Sequence, residues 1–219
     1  MSALSERLAQ IQSAPSGDKV AAFFDYDGTL IEGFSVSAIY RDRIRRLDVG
    51  LVELAQTMLI ALRGGENEQD YAAVLEVTKP ALAGQTYAEM LAAGERLFKH
   101  ETSALLRPQM WRILRAHKEK GHRIVIASSA TRFQIEPIAR EIEADHALCT
   151  EVEVVDGVLT GEVLGRPLWG PGKAAAVRAL AREHEIDLDA SFAYSDGSED
   201  VPYLEAVGHP AAVSPRLAM

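Results

Sequence analysis

The sequence predicts an α/β protein, a parallel sheet covered by helices on both faces and interrupted by an all-helical insertion. Three observations predict it. Short apolar runs that do not alternate, "VAAFF" and "RIVIA" among them, read as strands buried on both sides. Helical patterns follow those runs, as the crossovers between parallel strands require. From Ser35 to about His100 the pattern is helical throughout, with no strand between its segments.

Each element has its own warrant. Residues 1–14 form an amphipathic helix closed by the turn-rich "SAPSGD", and Val20 to Phe24 is the first strand. Four helices follow, "SVSAIYRDRIRRL", "GLVELAQTMLIAL", "EQDYAAVLEVTKPALA" and "YAEMLAAGERLFKH", separated by breaks that contain glycine. They define an insertion over 33–106 in a core made of 1–32 and 107–219. Arg107 to Lys120 is helical, Arg123 to Ala127 a strand, and Arg132 to Ala144 helical again. "ALCTEVEVVDGVLTGEVLG" alternates and carries Asp156-Gly157, which predicts a strand and then a hairpin with a primed turn. Gly172 to Glu185 is a helix, and "SFAYS" and "AAVS" are the last strands.

The composition narrows the function. A chain of 219 residues has room for one substantial domain, or for a core with a smaller one inserted. With 32 acidic against 23 basic residues, the formal charge of -9 disfavours nucleic acid or an anionic membrane as principal partner, while leaving room for a local phosphate pocket. Cys149 is the one cysteine, so disulfide frameworks and thiolate metal cages are excluded and a cytoplasmic home is expected. The N-terminus lacks the apolar run of a secretory signal, and no stretch approaches the roughly 18 apolar residues of a membrane span. The histidines show no metal-ligand spacing, and His117 and His122 read as surface residues.

Four polar clusters sit where an apolar run gives way to a loop or a helix start: Asp25 with Asp27, Ser128 with Ser129, Lys173, and Asp196 with Asp200. In a parallel sheet such positions converge on the carboxyl edge of the strands. Carboxylates gathered there repel one another unless a cation neutralises them, and an oxygen-only donor set suits Mg²⁺. One carboxylate can attack phosphorus to form an acyl phosphate, and the second can give a proton to the leaving oxygen and take one from water. Lys173 and the Ser128 hydroxyl supply a cation and a donor for the phosphoryl group. Backbone N–H groups after Asp25, around Gly28, and after Ser128, at Ser129, add neutral donors. Each feature alone has a plainer reading: a turn at "DG", a helix cap at the serine pair, a solvated lysine. Their joint order favours chemistry.

These residues resemble the motifs of the haloacid dehalogenase superfamily, in its phosphoserine phosphatase-like branch with an α-helical cap of the C1 type. "DYDGTL" resembles the first motif, Ser128 in "IVIASSAT" the second, Lys173 in "GPGK" the third, and "YSDGSEDVPYLEAVG" the fourth. The resemblance implies a Rossmann-like core, Asp25 as nucleophile and Asp27 as general acid and base. It implies Mg²⁺ held by Asp25, the Asp27 carbonyl and Asp196 with support from Asp200, and phosphoryl binding by Ser128 and Lys173, with Thr29 fixing the loop. The insertion is then a lid that closes over substrate.

Substrate choice would lie in that lid. Phosphoserine phosphatases resemble one another in a glutamate after the first motif and in Ser-Gly-Gly at the second. Here Phe34 stands at the glutamate's place, Glu32 is displaced, and the second motif continues Ser-Ser-Ala. An apolar ring near the leaving group, with "TMLIAL" and "EMLAAGERLF", points to a larger or greasier phosphomonoester, such as a lysophospholipid-type phosphate; ordinary helix packing also accounts for those stretches. The rival class is a non-catalytic phosphate-binding or regulatory module. In some proteins of similar kind the phosphatase-like unit is joined to a glycerolipid acyltransferase, so this chain is expected to be either a short form or one unit of a longer protein. Oligomeric state is not legible.

Overall fold

The computed structural model describes residues 2–46, 49–50 and 68–213. In chain order its helices are α1 (Ala3–Ser13), α2 (Ser35–Arg45), α3 (Glu68–Leu82), α4 (Tyr87–His100), α5 (Pro108–Glu119), α6 (Arg132–Glu141), α7 (Pro171–Glu183) and the short α8 (Val201–Leu204). Its strands are β1 (Ala21–Phe24), β2 (Arg123–Thr131), β3 (His146–Thr150), β4 (Val152–Val155), β5 (Val158–Val163), β6 (Phe192–Ser195) and β7 (His209–Ala212). Five of them form one sheet in the order β3-β2-β1-β6-β7, every neighbouring pair parallel.

β1 lies at the centre and is buried on both faces, which is why its sequence shows no alternation. Ala22 and Phe24 pack with Ile124, Ile126, Phe192 and Tyr194 against α1, α5 and α6. Ala21 and Phe23 pack with Val125, Ala127 and Ala193 against α7 and Tyr203. Each fully buried Phe stabilises the fold by about 1.5–3 kcal/mol through the apolar surface it removes from water. The helices that cover these faces carry their own start signals. Ser2 Oγ accepts the Ser5 N–H at the head of α1, Pro108 and Pro171 open α5 and α7, and a Thr131–Gln134 capping box opens α6.

The chain leaves the sheet after β1 and returns through a pair of short crossings. Ile31 bridges Leu106, the Glu32 N–H donates to Leu105 O at 2.8 Å, and the Arg107 N–H donates to Leu30 O at 2.9 Å. Between them the described residues are helical, as expected; the predicted helix "GLVELAQTMLIAL" lies outside the described residues. α4 comes so close to α6 that a Cβ on Gly94 would sit 1.9 Å from Phe133 O. Phe133, Val152 and Leu159 bury a small second core with Leu82, Tyr87, Met90 and Leu91, joining the insertion to the β4–β5 hairpin. The predicted Asp156-Gly157 turn joins β4 to β5 with φ of +51° and +80°, the left-handed pair that a primed turn needs.

Several expectations are corrected. β2 runs past Ala127 to Thr131, with its register on β3 shifting between those residues, so Ser128 and Ser129 belong to the strand's irregular end and Thr131 caps α6. α6 stops at Glu141 rather than Ala144, because Glu143 turns left-handed at φ +48° and the Ala144 N–H returns to Ala139 O. The last strand begins at His209, where it pairs with Phe192, earlier than "AAVS". His117 and His122 are not surface residues but buried ones, at 0% and 4% exposure. His122 Nε2 lies 2.8 Å from Pro15 O, His122 Nδ1 2.8 Å from His117 Nδ1, and His117 Nε2 2.8 Å from the Tyr194 hydroxyl. Among the described residues no helix is long and apolar enough to cross a membrane.

Candidate active site

Asp25 follows β1, and its N–H donates to Tyr194 O of β6 at 3.0 Å. The registers Phe24↔Ile126 and Phe24↔Tyr194 bring the residues after β1, β2 and β6 out at one sheet edge. Crossovers run to opposite sides of β1 there, the switch point beside which sheets of this kind bind their ligands. Asp25 is buried, and its Oδ1 accepts from Lys173 Nζ at 3.1 Å. Lys173 is 3% exposed in the first turn of α7 and also donates to Asp200 Oδ2 at 2.6 Å, an oxygen shared with the Ser195 hydroxyl.

After Asp25 the chain makes a wide turn, with the Leu30 N–H on Asp25 O at 3.3 Å and the Ile31 N–H on Tyr26 O at 3.1 Å. Gly28 has φ +74°, and a Cβ on it would fall 2.2 Å from Asp196 Oδ2, so both the backbone angle and the close approach require glycine. Its N–H donates to Gly33 O at 2.9 Å. Gly28 therefore shapes the loop and admits Asp196, and that N–H is not directed at a phosphate. Thr29 is buried and donates to Asp196 Oδ1 at 3.3 Å. Asp27 turns towards the insertion: its Oδ1 accepts the Ser35 N–H at 2.6 Å and its Oδ2 the Ser35 hydroxyl at 3.0 Å, where α2 begins. Gln134 of α6 donates to Ser35 Oγ at 2.6 Å.

The electrostatics follow from burial. Loss of water pushes the Asp25 carboxyl well above the usual carboxylate range; Lys173 pulls it down, and the charges of Asp200 and Asp27 push it further up. Burial opposes the Lys173 charge, but Asp25 and Asp200 outweigh it and the ammonium is held above the ordinary lysine range. Asp27 is pushed up to about 6, chiefly by burial, with the Ser35 hydrogen bonds working against it and Asp196 adding to it.

The donor set suits a hard divalent cation. Asp25 and Asp200 share the Lys173 ammonium, Asp27 and Asp196 lie in the same loops beside them, and Asp200 Oδ1 is buried without a hydrogen-bond partner. Among the described residues no three His, Cys, Asp or Glu side chains are grouped tightly enough to cage an ion. A magnesium site with few carboxylates, a backbone carbonyl and retained water fits that arrangement better than an all-protein cage.

The model of the haloacid dehalogenase-like hydrolases matches residues 22–205. This chain is a haloacid dehalogenase-like hydrolase. A Mycobacterium tuberculosis protein named phosphoserine phosphatase SerB1 is 33% identical over 204 residues, which cover 89% of this chain and 65% of that protein. This hydrolase thus spans less than two thirds of that relative's length. The inhibition of morphological differentiation protein of Streptomyces azureus is 30% identical over 207 residues, covering 92% of this chain and 74% of its own. Among solved structures, a protein with unknown function from Bordetella pertussis Tohama I aligns with a TM-score of 0.77 at 28% identity, over 91% of this chain and 92% of that one. A phospho-aspartyl intermediate analogue of phosphoserine phosphatase aligns with a TM-score of 0.67 at 20% identity, over 90% and 88% of the two chains, and shares the fold.

Of the site residues read from this hydrolase's sequence, the structure joins Lys173 to Asp25 and Asp200, and Thr29 to Asp196. Ser128 is buried at the end of β2, with its Oγ accepting the Ala130 N–H at 3.3 Å. Ser129 presents its carbonyl to Thr150 and Tyr71, each at 2.8 Å. Glu32 is not brought into the cluster: it is exposed, with its carboxylate 3.8 Å from Arg107 at the foot of the insertion. Phe34 is 44% exposed immediately before α2. Sequence reasoning missed Ser35, Gln134 and Ser195. Ser195 stands inside "YSDGSED", a position that could have singled it out, whereas Gln134 announces itself only as a helix-capping residue.

Proposed function

We propose that this chain is a Mg²⁺-dependent phosphomonoesterase working through an aspartyl phosphate on Asp25, with 33–106 as its cap and the rest as its catalytic core. The buried Lys173 ammonium set between Asp25 and Asp200 carries the reading. It holds the nucleophile in place, and of the three donors of an ammonium it leaves one for a phosphoryl oxygen. The phosphatase names of the relatives support it. Asp25, the Asp27 carbonyl and Asp196, supported by Asp200, would hold Mg²⁺, which would supply positive charge to offset the phosphoryl oxygens and the crowded carboxylates.

The remaining steps belong to the protein's own groups. An Asp25 oxygen forms a bond to phosphorus as the bond to the leaving alcohol breaks, and Asp27 gives that alcohol its proton. Water then attacks the acyl phosphate, Asp27 takes back a proton, and inorganic phosphate departs with Asp25 restored. At about 6, Asp27 is suited to both transfers near neutral pH. Ser128 donates to the phosphoryl group. The substrate is a small phosphomonoester, phosphoserine-like or with a more apolar leaving group set against Phe34.

Asp25→Asn removes the attacking charge while keeping the shape, so hydrolysis of p-nitrophenyl phosphate with Mg²⁺ should vanish and the circular dichroism spectrum should stay unchanged. Variant and wild-type rates that agree within about threefold would defeat the proposal.

A further inference from the structure

Tyr71 reaches from α3 in the insertion to the core. Its hydroxyl donates to Ser129 O at 2.8 Å and lies 3.1 Å from Thr150 Oγ1, which donates to the same carbonyl at 2.8 Å. Its ring stacks on Trp169, with centroids 6.1 Å apart and planes 16° from parallel. Burial holds the hydroxyl above the ordinary tyrosine range, so it remains a neutral donor at working pH.

These contacts fall on both segments that present the phosphoryl-binding groups. Ser129 O belongs to the peptide joining Ser129 to Ala130, and the N–H of that peptide is the one that donates to Ser128 Oγ at 3.3 Å. With the carbonyl anchored by Tyr71 and Thr150, the peptide plane is held, and Ser128 Oγ, which accepts from it, keeps its own proton to donate. On the other side, Trp169 O accepts the Gly172 N–H at 2.9 Å, in the turn that delivers Lys173. We infer that Tyr71 is a positioning residue that couples docking of the helical insertion to assembly of the phosphoryl pocket. Its hydroxyl sets Ser128 through the 129–130 peptide, and its ring sets Lys173 through Trp169. The inference rests on the phosphatase reading for the identity of the anion, but the coupling is itself a binding property and can be read without turnover.

The test is a titration of the full chain with inorganic phosphate in the presence of Mg²⁺, followed by tryptophan emission. The chain has Trp111 and Trp169, so loss of the response in Trp169→Phe assigns it. Phosphate should shift Trp169 emission in the wild type. Tyr71→Phe keeps the stack but leaves Ser129 O one donor short, so phosphate affinity and kcat should each fall about tenfold with a melting midpoint lowered by only a few degrees. Thr150→Val should move both in the same direction, which keeps the question open to test if Tyr71→Phe folds poorly. Phosphate affinity and kcat within about twofold of wild type in both variants, or a wild-type Trp169 emission indifferent to phosphate, would overturn the coupling. A wild type whose phosphate binding depends on Tyr71 yet which releases none from p-nitrophenyl phosphate would overturn the function proposed above and leave the coupling standing.

Discussion

Gly28 shows how little freedom the residues of the site have. At φ +74°, with Asp196 packed where a side chain would begin, it holds two separate constraints in one position. Gly28→Ala should force the Asp196 carboxylate aside by an ångström or more, and displacement of that size costs roughly a hundredfold in rate. The expected outcome is a kcat reduced by that order together with a lowered melting midpoint, since the buried position strains any side chain; undiminished kcat in the folded variant would show that Asp196 does not take part. The glycine was legible as part of "DYDGT", but its partner was not. Nothing local in a sequence tells which carboxylate will rest on a glycine far away along the chain.

The elements around the site are joined at a few tight crossings, and α4 on α6 is one of them. Gly94 lies in the interior of α4, where an alanine would favour the helix itself by about 1 kcal/mol. Tertiary packing decides otherwise, because the added Cβ would lie 1.9 Å from Phe133 O. Gly94→Ala should therefore destabilise the protein by about 1–3 kcal/mol, the usual cost of overpacking, as read from urea unfolding. Stabilisation would show that the two helices can slide apart freely. Strand and helix positions in the core were readable because buried parallel strands leave unalternating apolar runs. The end of β2 was not, because "SSAT" lacks that apolar signature and takes its extended form from pairing with β3 at Thr150.

For the molecule as a whole, the histidine chain fastens the segment after α1 to α5 and the central sheet. Pro15 O can only accept, so His122 Nε2 donates; with both rings neutral, as their burial favours, His122 Nδ1 accepts from His117 Nδ1 and His117 Nε2 accepts from the Tyr194 hydroxyl. Burial, with His122 and Arg7 nearby, pushes His117 from its ordinary 6.5 down to about 2. Unfolding frees it to bind a proton below about pH 6.5, so the unfolded chain gains protons there. Its contribution is complete above that pH and is lost as the pH falls towards 2. Between pH 6 and 4 the unfolding free energy should drop by about 1.4 kcal/mol per pH unit on account of this residue, and His117→Asn should flatten that slope. Identical slopes in urea titrations of the two proteins would refute the neutral assignment.

His117 also marks the boundary between what could and could not be read in advance. It continues the spacing of Met110, Ile113 and Leu114 on the buried face of α5, a periodic signal that the absence of metal-ligand spacing among the histidines does not address. The sequence by itself determined the α/β class, the insertion after β1, and the set of residues offered for phosphoryl chemistry. Those depend on local periodicity and on motifs confined to a few positions. Only the tertiary structure decided that Asp27 is tied to Ser35 at the root of the insertion, that Glu32 stays outside the cluster, and that Tyr71 bridges to Ser129 and Trp169. Those outcomes depend on which distant segments meet, and burial acts on a charge or a hydroxyl only once they have met.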